Sequence, residues 1–355
     1  MEQFGHPLEA LIIWGDFEAI VRQHDSGRPV VEELTKLLSH DDTAVRAGAI
    51  AGLGAIAQTD ISAIKVAADR LVALLGDHDA DVRRNASWLV WLLAEADVDT
   101  VKSATPSLIA LLDDELDVTR GAVTAALWGI GRSDPEGLRE AIPRLIARLD
   151  DQISLVRAAA AASLALFAQT DVHAVTPAAP RLVELLNDAD ANVRRNVAAA
   201  VGSIATSQPD AVKGSTDALF ALLRDNDSAV RSHSLAALGA VAVIDPQATK
   251  RAIPELIRLF SDDDQLVRGQ AVSAIGAVAL TDVDAVKDAV PQLLSMLEEE
   301  DANIRGAAAG ALGEIGGIDS SLVSNAVPKL VTLLEDSDVY VRGAATAALQ
   351  AIGEA

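Results

Sequence analysis

The sequence predicts an all-α solenoid of nine helical hairpins, each 37 residues long, and three observations carry that prediction. An arginine recurs at a fixed interval: Arg46, Arg83, Arg120, Arg157, Arg194, Arg231, Arg268, Arg305 and Arg342 are each 37 positions apart. Twelve residues before each stands a leucine, from Leu34, Leu71 and Leu108 through Leu293 and Leu330. Between and beyond these markers the apolar residues fall at helical spacing. Two residue types holding register nine times without an insertion define an internal repeat, the first thing to establish in any chain of this length.

Taken in order, residues 1–27 carry Phe4, Trp14 and Phe17 ahead of the first repeat and read as an N-terminal cap helix. Residues 28–355 then form the nine repeats as one continuous solenoid. The eighth shows the internal design. Leu293, Met296 and Leu297 lie at i, i+3 and i+4 on a first helix, A. An acidic turn follows, and Ile304, Ala308, Leu312 and Ile315 form the stripe of a second helix, B. Asp301, three residues ahead of Ile304, is placed to accept a backbone N–H and start helix B, worth about 1 kcal/mol. Proline recurs in helix A at Pro106, Pro143, Pro180, Pro254, Pro291 and Pro328; lacking an N–H and constraining its predecessor, it predicts a helix A that is kinked, the favoured form, or split into a short helix followed by a longer one. A lone hairpin cannot bury both faces, so stacking on neighbours is obligatory.

A proline in helix A, then Asp, then Val-Arg opening helix B, then a run of small residues ending as in ALGEI (residues 311–315) resembles the HEAT-repeat family, of the short lyase-associated type, over roughly residues 28–355. The resemblance implies a right-handed, armadillo-like α-α superhelix with B helices on the concave face. It also implies an Asp–Arg ladder between repeats. Asp42, Asp79, Asp190, Asp227, Asp264, Asp301 and Asp338 occupy the Asp position, and Leu116 and Ile153 depart from it.

Composition narrows the function. The net charge is −23, from 52 acidic and 29 basic residues, and only seven of the latter are lysines. Binding to nucleic acid or anionic membranes rests on Lys and Arg neutralising phosphates, so neither partner is expected. Many acids, few lysines and small apolar side chains are similar to the proteins of salt-loving archaea, where a Debye length of ~3 Å in molar salt tolerates such charge. There is no cysteine, which removes disulfides, thiolate metal ligands and thiol nucleophiles. The N-terminus has no basic leader, and uncharged runs of about 14 residues are too short for a bilayer. The expectation is a soluble, cytoplasmic protein.

No constellation calls for catalysis, a cofactor or a metal. The six histidines show no metal-ligand spacing and no His-Glu pair. His40 and His78, in adjacent turns among Asp41, Asp42, Asp77 and Asp79, read more simply as turn and cap residues. A second acidic series stands six residues before each arginine: Asp77, Asp114, Asp151, Asp188, Asp225, Asp262, Glu299 and Asp336, with His40 the exception. It reads as a solvated edge. A basic series, Arg28, Lys65, Lys102, Arg139, Lys213, Lys250 and Lys287, is too diluted by acids to make a nucleic-acid groove. Glycines recur within helix B at Gly239, Gly276 and Gly313, allowing close helix approach or a clear inner surface.

In a repeat protein, function belongs where units break their pattern. One face of helix B holds the positions one, five, eight and twelve residues after the arginine. In repeats six to nine it is nearly bare. Repeat two places Arg84, Trp88, Trp91 and Glu95 there, and repeat three places Gly121, Ala125, Trp128 and Arg132. Trp91 and Trp128, one period apart, are expected on neighbouring helices. Tryptophan and arginine are the residues most enriched at binding hot spots. The expected function is therefore a non-enzymatic scaffold holding a protein or peptide on the B-helix face near repeats two to four, through Arg84, Trp88, Trp91, Glu95, Trp128 and Arg132. The alternative is packing of these tryptophans between repeats, or, by resemblance to HEAT-like bilin lyases, an enzyme acting on a protein-bound cofactor.

Overall fold

A computed structural model describes residues 7–241 and 246–353, and every regular element among them is helical. Phe4 and His6 lie outside the described residues. The chain falls into two units, residues 1–175 and 176–355.

The first unit opens with α1 (Pro7–Trp14) and α2 (Phe17–Asp25), separated at Gly15, whose φ of 72° suits a residue without a side chain. Four hairpins follow, with B helices α3 (Thr43–Ala57), α4 (Ala80–Ala96), α5 (Asp117–Gly131) and α6 (Ser154–Phe167). Successive B helices pack side by side, and α1 and α2 cover the free flank of α3. The second unit holds five hairpins, with B helices α7 (Ala191–Ser207), α8 (Ser228–Val241), α9 (Gln265–Ala279), α10 (Ala302–Ile318) and α11 (Val339–Ile352).

The core is the one the periodicity predicts. The repeat leucine is at most 3% exposed in all nine units, each burial worth about 2 kcal/mol. The stripe Ile304, Ala308, Leu312 and Ile315 is wholly buried on α10, opposite Leu293, Met296 and Leu297. Glycine at the B-helix position eight after the arginine serves close approach: a Cβ on Gly313 would stand 2.7 Å from the Ala348 Cα. At Gly239, by contrast, nothing lies within 4 Å, and the absent side chain leaves the surface open.

Helix A is split rather than kinked, the second of the two forms expected. In most repeats it is a 3-10 segment followed by a separate short α-helix, as in Val283–Ala289 then Val290–Met296. The proline stands at the first or second position of that α-helix, where its missing N–H would have had no intrahelical partner. The kinked form occurs in repeat seven, where Pro246–Arg258 is one helix with Pro254 inside it.

The Asp–Arg ladder is present, but between other residues than the resemblance implied. Asp42, Asp79, Asp190, Asp264, Asp301 and Asp338 are N-caps; each carboxylate accepts an amide of the first turn of its own B helix. Asp227 likewise accepts the Val230 N–H at 3.0 Å. The arginine instead reaches into the following repeat, to the acid thought to be a solvated edge. Arg46–Asp77 (2.8 Å), Arg83–Asp114 (2.7 Å) and Arg120–Asp151 (2.6 Å) are the rungs in the first unit. Arg194–Asp225 (2.7 Å), Arg231–Asp262 (2.6 Å) and Arg305–Asp336 (2.8 Å) are those in the second. In the same geometry each guanidinium donates to two carbonyls of its own turn, as Arg46 does to His40 and Asp41, so one side chain ties a turn to its neighbour. The carboxylates are 2–9% exposed. Burial alone would raise Asp77, Asp151 and Asp225, but hydrogen bonds from the arginine and from a turn amide overcome it, and all three are held below the usual carboxylate value.

The basic series also has a structural use. Lys65–Asp97 (2.7 Å), Arg139–Asp171 and Lys250–Asp282 join helix A of one repeat to the turn after the next B helix, a second set of inter-repeat ties.

Candidate partner-binding face

The four positions of the B-helix face that distinguish repeats two and three lie on α4 and α5, which pack side by side in the first unit. Of the six singled-out residues, Trp88 lines one depression and Glu95 and Arg132 line another, while Arg84, Trp91 and Trp128 line neither.

The first is a groove of about 730 Å³ between α2, α3 and α4. Its apolar lining comes from Phe17, Val21, Ile50, Gly54 and Trp88, and hydrogen-bonding groups are supplied by Glu18, Gln58, Thr59 and Asn85. Trp88 is 38% exposed and leans towards the preceding repeat: a Cβ on Gly54 would come within 3.2 Å of its Cζ3. The bare glycine of one helix thus makes room for the indole of the next. Arg84 is held beside the groove rather than in it, by an ion pair with Asp81 (2.6 Å) and a hydrogen bond to the Asn85 side chain (3.3 Å).

The second depression is a cleft of about 280 Å³ lined by Glu95, Asp97, Gly129, Arg132 and Ser133. Here the structure brings the acid of repeat two to the cation of repeat three. Glu95 Oε1 would stand 3.6 Å from a Cβ on Gly129, so its carboxylate lies over α5. The Arg132 guanidinium sits 5.2 Å from the centre of the Trp128 ring, a cation–π pair that leaves an exposed arginine in a fixed pose. Trp91 and Trp128 are both half-buried, one on each helix.

Sequence reasoning missed Phe17, Val21, Gln58, Thr59 and Asn85. The sequence assigns Phe17 to a cap, whereas here α2 forms one wall of the groove. The available signal was Gly54, a bare position beside a tryptophan one repeat later. On the metal question, His40 Nδ1 accepts the Asp42 N–H at 3.0 Å, which makes it a turn former. Among the described residues there is no group of three or more His, Cys, Asp or Glu side chains able to hold a metal ion.

The same face in the second unit is mostly glycine, alanine and serine. Among the described residues an acid beside that face reaches over it: the Glu314 carboxylate lies where a Cβ on Gly276 would be, and burial raises its pKa. No described helix is long and apolar enough to cross a membrane.

Comparison with known proteins fits this picture. The family model for HEAT repeats matches residues 19–94, 142–238, 179–276 and 253–350. No curated protein matches the chain. Among solved structures, an engineered protein from a structural genomics consortium is similar at 27% identity with a TM-score of 0.81, covering 97% of this chain and 93% of its own. A second engineered protein from the same source shares 27% identity over 60% of this chain and 96% of its own, with a TM-score of 0.54. A designed armadillo repeat protein, solved in complex with the peptide (KR)4, is 24% identical over 59% of this chain and 98% of its own, with a TM-score of 0.53. The fold class is thus the all-α superhelix of armadillo-like repeats, and the chain belongs to the HEAT-repeat family.

Proposed function

We propose that this protein is a binding scaffold rather than an enzyme, and that it holds a protein or peptide segment against the B-helix face from repeat one to repeat three, at the leading edge of the span expected from the sequence. The observation that carries the reading is the pairing of an open apolar groove around Trp88 with the pre-set Arg132 on Trp128. An aromatic-lined trough rimmed by amide and hydroxyl groups accepts a side chain while leaving main-chain polar atoms satisfiable. Glu95 and Arg132, of opposite charge in one cleft, offer both an acceptor and a donor to a peptide. The net charge of −23 favours a polypeptide over a nucleic acid, whose binding rests on Lys and Arg neutralising phosphates.

The test is selection of a displayed random-peptide library on the purified chain, followed by titration of the enriched peptides against variants. Trp88→Ala, and separately Trp91→Ala with Trp128→Ala, should each weaken binding about 30-fold, the loss of a hot spot of ~2 kcal/mol. Helicity and melting temperature should stay nearly unchanged. A collapse of stability with binding retained per folded molecule would assign the tryptophans to packing.

A further inference from the structure

We infer that the second unit carries its own subsite, for an arginine side chain of a bound peptide, at the cavity where α9, α10 and α11 meet. This cavity of about 410 Å³ is separate from the tryptophan face and does not depend on it. Its lining is rich in hydrogen-bond acceptors and contains no cationic side chain: Gln265, Gln270, Ser273, Asp301 and Asn303 contribute the polar groups, and Tyr340 the aromatic one.

Three features suit a guanidinium. Gln270 lines the cavity, and its Oε1 is buried beside it without a hydrogen-bond partner, an uncompensated acceptor that a turn of the amide would offer to a donor. The Tyr340 ring is 52% exposed yet held against α10 at Gly306, where a Cβ would come within 2.2 Å of its Cε1. A planar cation can lie on such a ring while its edge donates to several acceptors, which a compact ammonium does less well. Asp301 supplies the negative charge. Its carboxylate caps α10 through the Ile304 N–H at 3.0 Å and accepts from the Gln265 amide, which fixes its orientation and leaves lone pairs available. Arg305 feels the Asp301 charge, but its hydrogen bonds go to Asp336 and to the Glu299 and Glu300 carbonyls, so the Asp301 carboxylate oxygens are not taken up by it.

The chain contains a single tyrosine, so 3-fluorotyrosine labelling of the full-length protein gives one 19F resonance located in this cavity. The probe is the peptide Ac-Gly-Arg-Gly-NH2, titrated in molar salt where the Debye length is ~3 Å and loose attraction to the acidic surface is suppressed. The proposal predicts a saturable shift with a Kd of the order of 1 mM. The citrulline peptide, equal in shape and uncharged, should leave the resonance unmoved, and the lysine peptide should bind more weakly. Asp301→Asn keeps the helix cap, since Asn caps as well as Asp, and should weaken the arginine peptide at least tenfold. Trp91→Ala with Trp128→Ala should leave the titration as in wild type, which separates this subsite from the first-unit reading. Equal binding of the citrulline or lysine peptide, an unaffected Asp301→Asn titration, or no saturable shift with arginine would each overturn it.

Discussion

Asp151 shows how much one residue holds in this architecture. Its side chain is 2% exposed, its Oδ2 accepts from Arg120 and its Oδ1 from the Ile153 N–H. Asp151→Asn keeps the shape and removes the charge, leaving Arg120 facing a neutral amide. Breaking a buried pair in this way should cost about 3 kcal/mol, measured by urea unfolding near neutral pH. The sign of the pH dependence follows from the direction of the shifts. Asp77, Asp151 and Asp225 sit lower in the folded state than in the unfolded chain, so their stabilisation is full above about pH 4. It is lost as the pH falls through the lower folded-state values. The deficit of Asp151→Asn relative to wild type should therefore shrink in acid. A deficit that persists unchanged at low pH would show that charge is not what Asp151 contributes. The pattern was visible in the sequence yet misread. The acid six residues before the arginine is present in every repeat except the first, which has no preceding repeat arginine to serve. Chain separation alone does not say which of two nearby acids an arginine will reach. That depends on how far one hairpin is set forward of the next.

At the scale of the element, the B helices divide by how they begin. Most start on an Asp whose carboxylate accepts a first-turn amide, whereas α5 and α6 start at Leu116 and Ile153 with no side-chain cap. The backbone there is the same, with φ and ψ of −83° and 124° at Leu116 against −83° and 127° at Asp79. The turn is thus set by the ladder acids, whose carboxylates accept the Leu116 and Ile153 N–H groups at 2.9 and 3.0 Å. The cap adds stability to a turn already formed. Asp79→Ala should lower stability by about 1 kcal/mol and Asp79→Asn by almost nothing, with faster amide exchange confined to the first turn of α4. Equal losses for both variants would mean that the carboxylate's charge, not its acceptor oxygen, matters. Helix positions, the buried stripe and the caps were legible because each follows from local spacing. The break within helix A was less so, since proline is compatible both with a kink and with a fresh helix start. The groove by Trp88 was legible only in part. The indole announces itself, but its wall of Phe17 and Val21 comes from a segment outside the repeat, to which periodicity does not extend.

For the molecule as a whole, the decisive quantity is charge. Of the 29 basic residues many are committed to ties between repeats, and a net −23 remains to repel itself across the surface. Added salt screens that repulsion more than it weakens the buried rungs. The melting temperature should rise from dilute buffer to molar sodium chloride, followed by circular dichroism. A fall over that range would mean that exposed ion pairs contribute more than the excess charge removes.

The forward reach of the arginine gives the chain a built-in grammar for gain and loss of units. Each clasp spans 31 residues, six short of a period, so excising residues 47–83 would deliver Arg46 to Asp114 at the separation it now has from Asp77. A deletion one residue longer or shorter would misalign the contacts that cross the join, Arg46 to Asp114 first among them. The chain can therefore be shortened or lengthened by whole modules, each newcomer finding its fastening already in place.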